Sequence, residues 1–413
     1  MKRLQLLTLA LASATFAAPS GTIVIVNGTA IDPGTGKTTP NAAITIEGDH
    51  IAAIKENTTD IPKKGDTVID AHGKFILPGY IDTHVHFFQS GGLFTRPDAV
   101  DLTSVRPYQD EVAMIKRNLP DTFARYLRSG ITSVLDIGGP FWNFEMRTIA
   151  NSSAKAPRVA AAGPLISSVS RPQLDLGDPP IVKIDTPEHG IQMVQKLAPQ
   201  KPDYVKIWYI VDAENPVEKF RPVVHAVIAE AHRLKLRVAV HATELEAART
   251  SVEEGADLLV HSVTDKPVDD RFVKLLKEKR TVLTPTLVVF ERYGRTFANK
   301  LELTPEEKMW GNREVIASLD VTKLPGDKVP ERIKTVMANP QPILDRIQQT
   351  YDVSLKNLKT LEDAGITIAA GTDAGNFGTI HGPALFREFQ LMRQAGLTPM
   401  QILQSTTANA AKT

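Results

Sequence analysis

The chain has 413 residues, 42% of them hydrophobic and 23% charged, with a formal net charge of +1 and no cysteine. That is an ordinary globular composition, with no excess of basic residues to draw in nucleic acid or an anionic membrane, and it points to a small-molecule partner. The absence of cysteine excludes disulfides and thiolate ligands, so any metal must be held by nitrogen and oxygen.

In chain order, residues 1–17 have the pattern of an export signal. Met1-Lys2-Arg3 is a basic start, Leu4 to Phe16 is mostly apolar, and Thr15-Phe16-Ala17 offers small residues for cleavage. The apolar run is shorter than the roughly 20 residues of a spanning helix. The expectation is a periplasmic or secreted protein with no membrane contact once the signal is removed.

Residues 21–77 alternate short apolar runs with turn residues. Thr22 to Val26, Ala43 to Glu47, Ile51 to Ile54 and Thr67 to Asp70 predict strands of a small β domain, too sparse in apolar residues for a large core. From residue 78 to 413 the texture changes to alternating strand and helix signals. Strands are predicted at 80–87, 132–137, 158–162, 204–210, 237–241, 258–261, 282–287 and 367–372. Thr186-Pro187 and Thr398-Pro399 mark helix starts, and Gly130, Gly255, Gly365 and Gly396 mark helix ends. Eight such units predict an α/β fold, a (β/α)8 TIM-type barrel whose chemistry lies at the C-terminal strand ends. Two long connections, 88–109 and 288–342, fall at that face and are expected to be functional loops.

The polar residues at those strand ends are the informative ones. In Asp82-Thr83-His84-Val85-His86 the two histidines lie two apart on a strand, so both imidazoles face one spot. Such a pair starts a metal site or is a hydrogen-bonded core pair. Lys206 either snorkels outward or sits inside the barrel, where burial leaves a neutral amine able to react with carbon dioxide. The resulting carbamate can bridge two cations. His241 and His261 end the fifth and sixth strands, and Asp373 ends the eighth. Two divalent ions roughly 3.5–4 Å apart would use all six side chains and hold a bridging hydroxide. Zinc is the first choice for nitrogen and oxygen ligands in hydrolytic chemistry.

The run from Pro78 to His86, the stretch from His241 to His261, Thr284-Pro285-Thr286-Leu287, Gly371-Thr372-Asp373 and Ala395-Gly396-Leu397-Thr398-Pro399 together resemble the amidohydrolase superfamily. The nearest branch is that of the prolidase-like and imidazolonepropionase-like hydrolases. The resemblance implies a dinuclear centre with carboxylated Lys206 as the bridge. It also implies hydrolysis of amide or peptide-like C–N bonds, with the metal-bridging hydroxide as nucleophile and Asp373 as general base and then acid. Dipeptides and acyl-amino acids are the candidate substrates, and a homo-oligomer is open. Asp82 and Thr83 are expected to orient the ligands. Tyr209 and His381 are candidate substrate contacts, and Arg96, Arg292 and Tyr293 lie near loops that could meet a substrate carboxylate. Related proteins continue past the last barrel helix, whereas this sequence stops at Thr413, so the small β-sandwich domain is expected to be incomplete at the C-terminus. The competing reading is a mononuclear, deaminase-like aminohydrolase with Glu244 as proton shuttle.

Overall fold

The computed structural model describes residues 22–56 and 63–413. The expected signal at 1–17 lies outside the described residues. The chain divides after Pro78 into two compact units.

The first unit is one five-stranded sheet. Strands β1 (Ile23–Asp32), β2 (Lys37–Glu47) and β3 (His50–Glu56) run antiparallel, and β4 (Thr67–Asp70) and β5 (Phe75–Ile76) pair with β1 in parallel. Its core is small, with Val24, Ala30, Ala42, Ala43 and Ile44 buried, while Ile51, Ile54, Val68 and Phe75 are exposed. The second layer that a sandwich requires is not found among the described residues.

The second unit alternates strand and helix. Its first strand, β6 (Tyr80–Val85), leads through a long irregular loop into α1 (Tyr108–Arg128), then β7 (Ile131–Asp136) and α2 (Trp142–Asn151). The third strand is broken: β8 (Arg158–Ala161) turns at Gly163, at φ +74°, and resumes as β9 (Leu165–Ser167), which also pairs with β10 (Ile181–Lys183). Next come α3 (Pro187–Leu197), β11 (Tyr204–Trp208), α4 (Val217–Arg233), β12 (Arg237–His241), α5 (Leu245–Glu254), β13 (Leu258–Val260), α6 (Asp270–Lys279) and β14 (Val282–Thr284). The strands pair in parallel as β6-β7-β8 and β9-β11-β12-β13-β14. Asp203 N donates to Ala161 O at 2.9 Å across the joint between those two sheets.

The eighth predicted strand is an extended segment bonded on both sides rather than a regular strand. Leu283 N donates to Thr367 O, and Ala369 N donates back to Leu283 O. On its other side Thr83 N donates to Ala370 O and Asp373 N to His84 O. These bonds bring the last segment back beside the first strand, as an eight-stranded α/β barrel requires.

The seventh strand stops at Thr284 because Pro285 and Thr286, at φ +46°, turn the chain into α7 (Leu287–Phe297). The connection expected here as a loop is mostly helical, with α8 (Pro305–Trp310), α9 (Arg313–Ser318) and α10 (Glu331–Ala338) before the long α11 (Gln341–Asp363). Helices α12 (Ala384–Gln394) and α13 (Pro399–Ser405) complete the unit. No helix among the described residues is long and apolar enough to cross a membrane.

Candidate metal centre

Strand alternation delivers most of the site. In β11, Val205 and Ile207 pack into the large cluster that includes Val223, Val224 and Val227 of α4, whereas Tyr204 joins the cluster inside the strands with Ala239 and Leu258. Lys206 shares Tyr204's parity and is therefore inward, with a relative exposure of 1%. His241 shares the parity of Ala239 in β12. In β6, Val85 faces the helices while His84 and His86 face in. His261 is the exception. It follows inward Val260, so strict alternation would turn it outward; its φ of +78° re-aims it toward the other histidines. Asp373 has the same left-handed backbone, at φ +61°.

The ligand atoms converge closely. His84 Nε2 and His86 Nε2 are 3.3 Å apart, and each lies 3.3 and 3.2 Å respectively from Asp373 Oδ1. His86 Nδ1 donates to Gly138 O at 2.6 Å, which fixes its tautomer and leaves a lone pair on Nε2. His261 Nδ1 is bonded to Thr286 Oγ1 at 2.6 Å. The rings of His241 and His261 are 4.3 Å apart and those of His84 and His261 4.9 Å. His84, His261 and Asp373 offer ligand atoms within 4.8 Å of one another. All six predicted ligands, Lys206 included, line a single cavity of about 280 Å³.

This set fits a divalent cation. Two imidazole nitrogens and a carboxylate oxygen form a triangle with edges of 3.2–3.3 Å. A tetrahedral ion with bonds of 2.0–2.1 Å requires ligand–ligand edges of about 3.3–3.4 Å. Protonation is also right for metal. Burial pushes the His84 imidazole down to about 3, and His241 and His261 well below their ordinary value. Burial alone would raise Asp373, but the adjacent His84 and His86 outweigh it and hold the carboxyl well below its usual range. These directions favour the unprotonated forms of His84, His241 and His261 and the ionised form of Asp373, the forms that bind a cation. Burial brings Lys206 down to about 7, against the pull of Asp373, which favours the neutral amine.

Asp82 ties the carboxylate-bearing segment to the histidine-bearing strand. It accepts from His84 N at 3.2 Å, from Thr372 N at 3.0 Å and from Thr372 Oγ1 at 2.7 Å. Thr83 Oγ1 meets Thr284 Oγ1 at 2.8 Å and Ala370 O at 3.0 Å, adding a second stitch.

Other candidates are placed elsewhere. Tyr209 has the opposite parity to Lys206, packs on Phe220 in the core and bonds through its hydroxyl to Val217 O. His381 spends both nitrogens, 2.8 Å from Tyr126 Oη and 2.8 Å from Gln89 O, with its ring stacked on Phe87. Neither lines the cavity that holds the six predicted ligands. Arg292 is buried against Glu307. Glu244 precedes α5, accepts from Thr243 Oγ1 and also lies off the cavity wall. Arg96 and Tyr293 do line it, together with Gln89 and Asn376, which sequence reasoning missed because they sit in turns without any pattern. Phe88, Leu165, Ile181, Trp208, Val289 and Phe290 supply the apolar wall.

The model of the Amidohydrolase family matches residues 75–413. Among solved structures, a Xaa-Pro dipeptidase crystallised with methionine in its active site superposes with a TM-score of 0.68 at 23% identity, covering 95% of this chain and 88% of that one. That similarity is one of fold. Curated relatives match only in short stretches. An adenine deaminase of Rubrobacter xylanophilus is 33% identical over 69 residues, and a dihydroorotase of Bacillus licheniformis is 49% identical over 49. These stretches are 17% and 12% of this chain, and each spans 11% of the relative's own length.

Proposed function

The chain belongs to the amidohydrolase family, and on that premise we propose that it hydrolyses amide or peptide-like C–N bonds of a small molecule at a centre of two divalent cations. His84, His86 and Asp373 would hold one ion, His241 and His261 the other, and carboxylated Lys206 would bridge them, with zinc the first choice. The observation that carries this reading is the triangle of 3.2–3.3 Å between two imidazole nitrogens and the Asp373 oxygen. Cations bound there would polarise the scissile carbonyl and lower the pKa of water.

The chain's own groups do the rest. The neutral Lys206 amine attacks the carbon of carbon dioxide and loses a proton to water, giving an anionic carbamate. Asp373, ionised at neutral pH, takes the proton of the attacking water on its carboxylate and returns it to the leaving nitrogen. Asp82 keeps that carboxylate in register with His84 through Thr372. The apolar wall of Phe88, Leu165, Trp208 and Phe290 excludes water around the substrate. The place of Glu244 off the cavity wall supports this reading over the mononuclear aminohydrolase one, in which Glu244 would shuttle the proton. The basic start and apolar run of residues 1–17 support export from the cytoplasm.

Elemental analysis of the purified protein, paired with turnover of dipeptides (Arg and Lys dipeptides first) and N-acyl amino acids, tests the reading. Two equivalents of metal and release of free amine are expected. One equivalent, or ammonia release from an aminopurine, would reject it.

A further inference from the structure

We propose that Asn376 is the positioning residue that aims the Asp373 carboxylate, and that Arg96 and Tyr293 act only by fixing the orientation of the Asn376 amide. The proposal rests on the reading of Asp373 as a metal ligand.

The hydrogen bonds leave one arrangement. Arg96 Nη1 lies 3.1 Å from Asn376 Oδ1, and Tyr293 Oη lies 2.5 Å from the same atom. A guanidinium has only donors, so the atom it meets is the amide oxygen. The amide nitrogen is thereby turned to the other side, where Nδ2 donates to Asp373 Oδ1 at 2.8 Å. That oxygen is the one shared with His84 and His86. Asn376 can donate to it but cannot take a proton from it, so it steers the carboxylate without competing as a base.

Arg96 has little left for a substrate. Its Nε and Nη2 are held by the two oxygens of Asp98 at 2.7 and 2.6 Å, and its Nη1 serves Tyr293 Oη at 3.2 Å as well as Asn376. Four of its five N–H groups are taken, so a forked contact to a substrate carboxylate would have to break a bond already made. Arg96 comes from the loop after β6, Tyr293 from α7 and Asn376 from the turn after the last barrel segment. Three separate parts of the chain thus meet on one amide at the cavity wall, and Tyr293 is itself wedged edge-on against Phe297 and Phe377.

The test uses the metal-loaded protein with Asn376→Ala, Tyr293→Phe and the double variant. Zinc affinity is read by competition with a chromophoric chelator, and kcat and KM are measured separately. Asn376→Ala is expected to weaken zinc binding about 10–100-fold, the usual cost of losing a partner behind a ligand, and to lower kcat with KM nearly unchanged. Tyr293→Phe should move the same two quantities in the same direction by less. The double variant should match Asn376→Ala if the tyrosine acts through the Asn376 amide and not by its own place on the cavity wall. Parental zinc affinity in folded Asn376→Ala, additive effects in the double variant, or a change confined to KM would each overturn the proposal. If Asn376→Ala fails to fold, Tyr293→Phe decides, since it keeps the packed ring; unaltered zinc affinity there overturns it. Absence of amide turnover in the parent would instead reject the functional reading, and the zinc measurement would still judge Asn376.

Discussion

Lys206 is the residue whose cost of burial is hardest to explain without chemistry. At 1% exposure, with burial driving its pKa to about 7, it is a liability as a structural residue. Lys206→Ala should therefore fold well but lose at least about 100-fold in kcat, at or beyond the top of the range for losing a supporting contact. Millimolar acetate or propionate should restore part of that loss by replacing the carbamate. Rescue is measured as rate against added acid, and a flat response would argue against a bridging carboxylate. Thr286 is a different case. A β-branched residue at φ +46° is strained by about 1–3 kcal/mol, and its hydroxyl is the group that meets His261 Nδ1. Thr286→Ser should keep metal affinity with equal or higher stability, while Thr286→Val should lose about 10–100-fold in affinity; metal titration separates the two. The ligand candidates were legible because strand ends, and for His84, His86, Lys206 and His241 period-two alternation, are written in sequence. The same rule, applied to Tyr209, would have turned it away from the cavity, since it sits one position past Trp208. His261 faces the cavity only through a backbone angle that no residue pattern announces. The pairing of Asn376 with Arg96 was invisible for a simpler reason: the two are 280 positions apart and meet only in the folded chain.

Among elements, the helix ends were the most readable. Thr186 caps α3 by accepting from His189 N, and Thr398 with Gln401 makes a complete capping box at α13. Of the short helices, α8 carries the same signature in Thr304-Pro305 and Glu307, whereas α9 and α10 were not readable, because pieces of six to eight residues are unstable alone and owe their form to tertiary packing. Leu93, Leu102, Phe297, Val321, Ile333 and Phe377 form the cluster that shapes this region, drawn from distant stretches. One contact between elements has a measurable pH signature. Glu388 of α12 accepts from Leu287 N and Val288 N at 2.9 and 2.8 Å, capping α7, which carries Phe290 and Tyr293 of the cavity. Burial outweighs these two bonds and pushes the Glu388 carboxyl up to about 8. A carboxyl with a raised folded-state pKa adds stability that is complete below its unfolded value near 4.5 and is lost as pH rises through about 8. Denaturant unfolding between pH 5 and 8 should therefore show stability falling faster with pH in the parent than in Glu388→Gln, whose side chain cannot ionise. Parallel slopes would mean that Glu388 does not titrate in this window.

At the scale of the whole molecule, all six ligand candidates lie in the unit that begins at Gly79. They come from β6, β11, β12, the residue just after β13, and the segment that returns beside β6. A cation held by them therefore links strands from around the barrel. It binds the folded state alone, since the unfolded chain has no such convergence. The linkage is RT ln(1 + [L]/Kd), about 3–4 kcal/mol when free metal exceeds the dissociation constant by a few hundred to a thousandfold. Chelation should thus lower the melting temperature of this unit's transition by several degrees, and readdition of zinc should restore it. His86→Ala should melt lower than the parent and respond little to chelator, because the loss has already been taken. The comparison isolates the site from any general effect of the chelator. A parent whose melting is untouched by metal removal, with no metal found in the purified protein, would leave the convergence of these six side chains without a ligand to explain it.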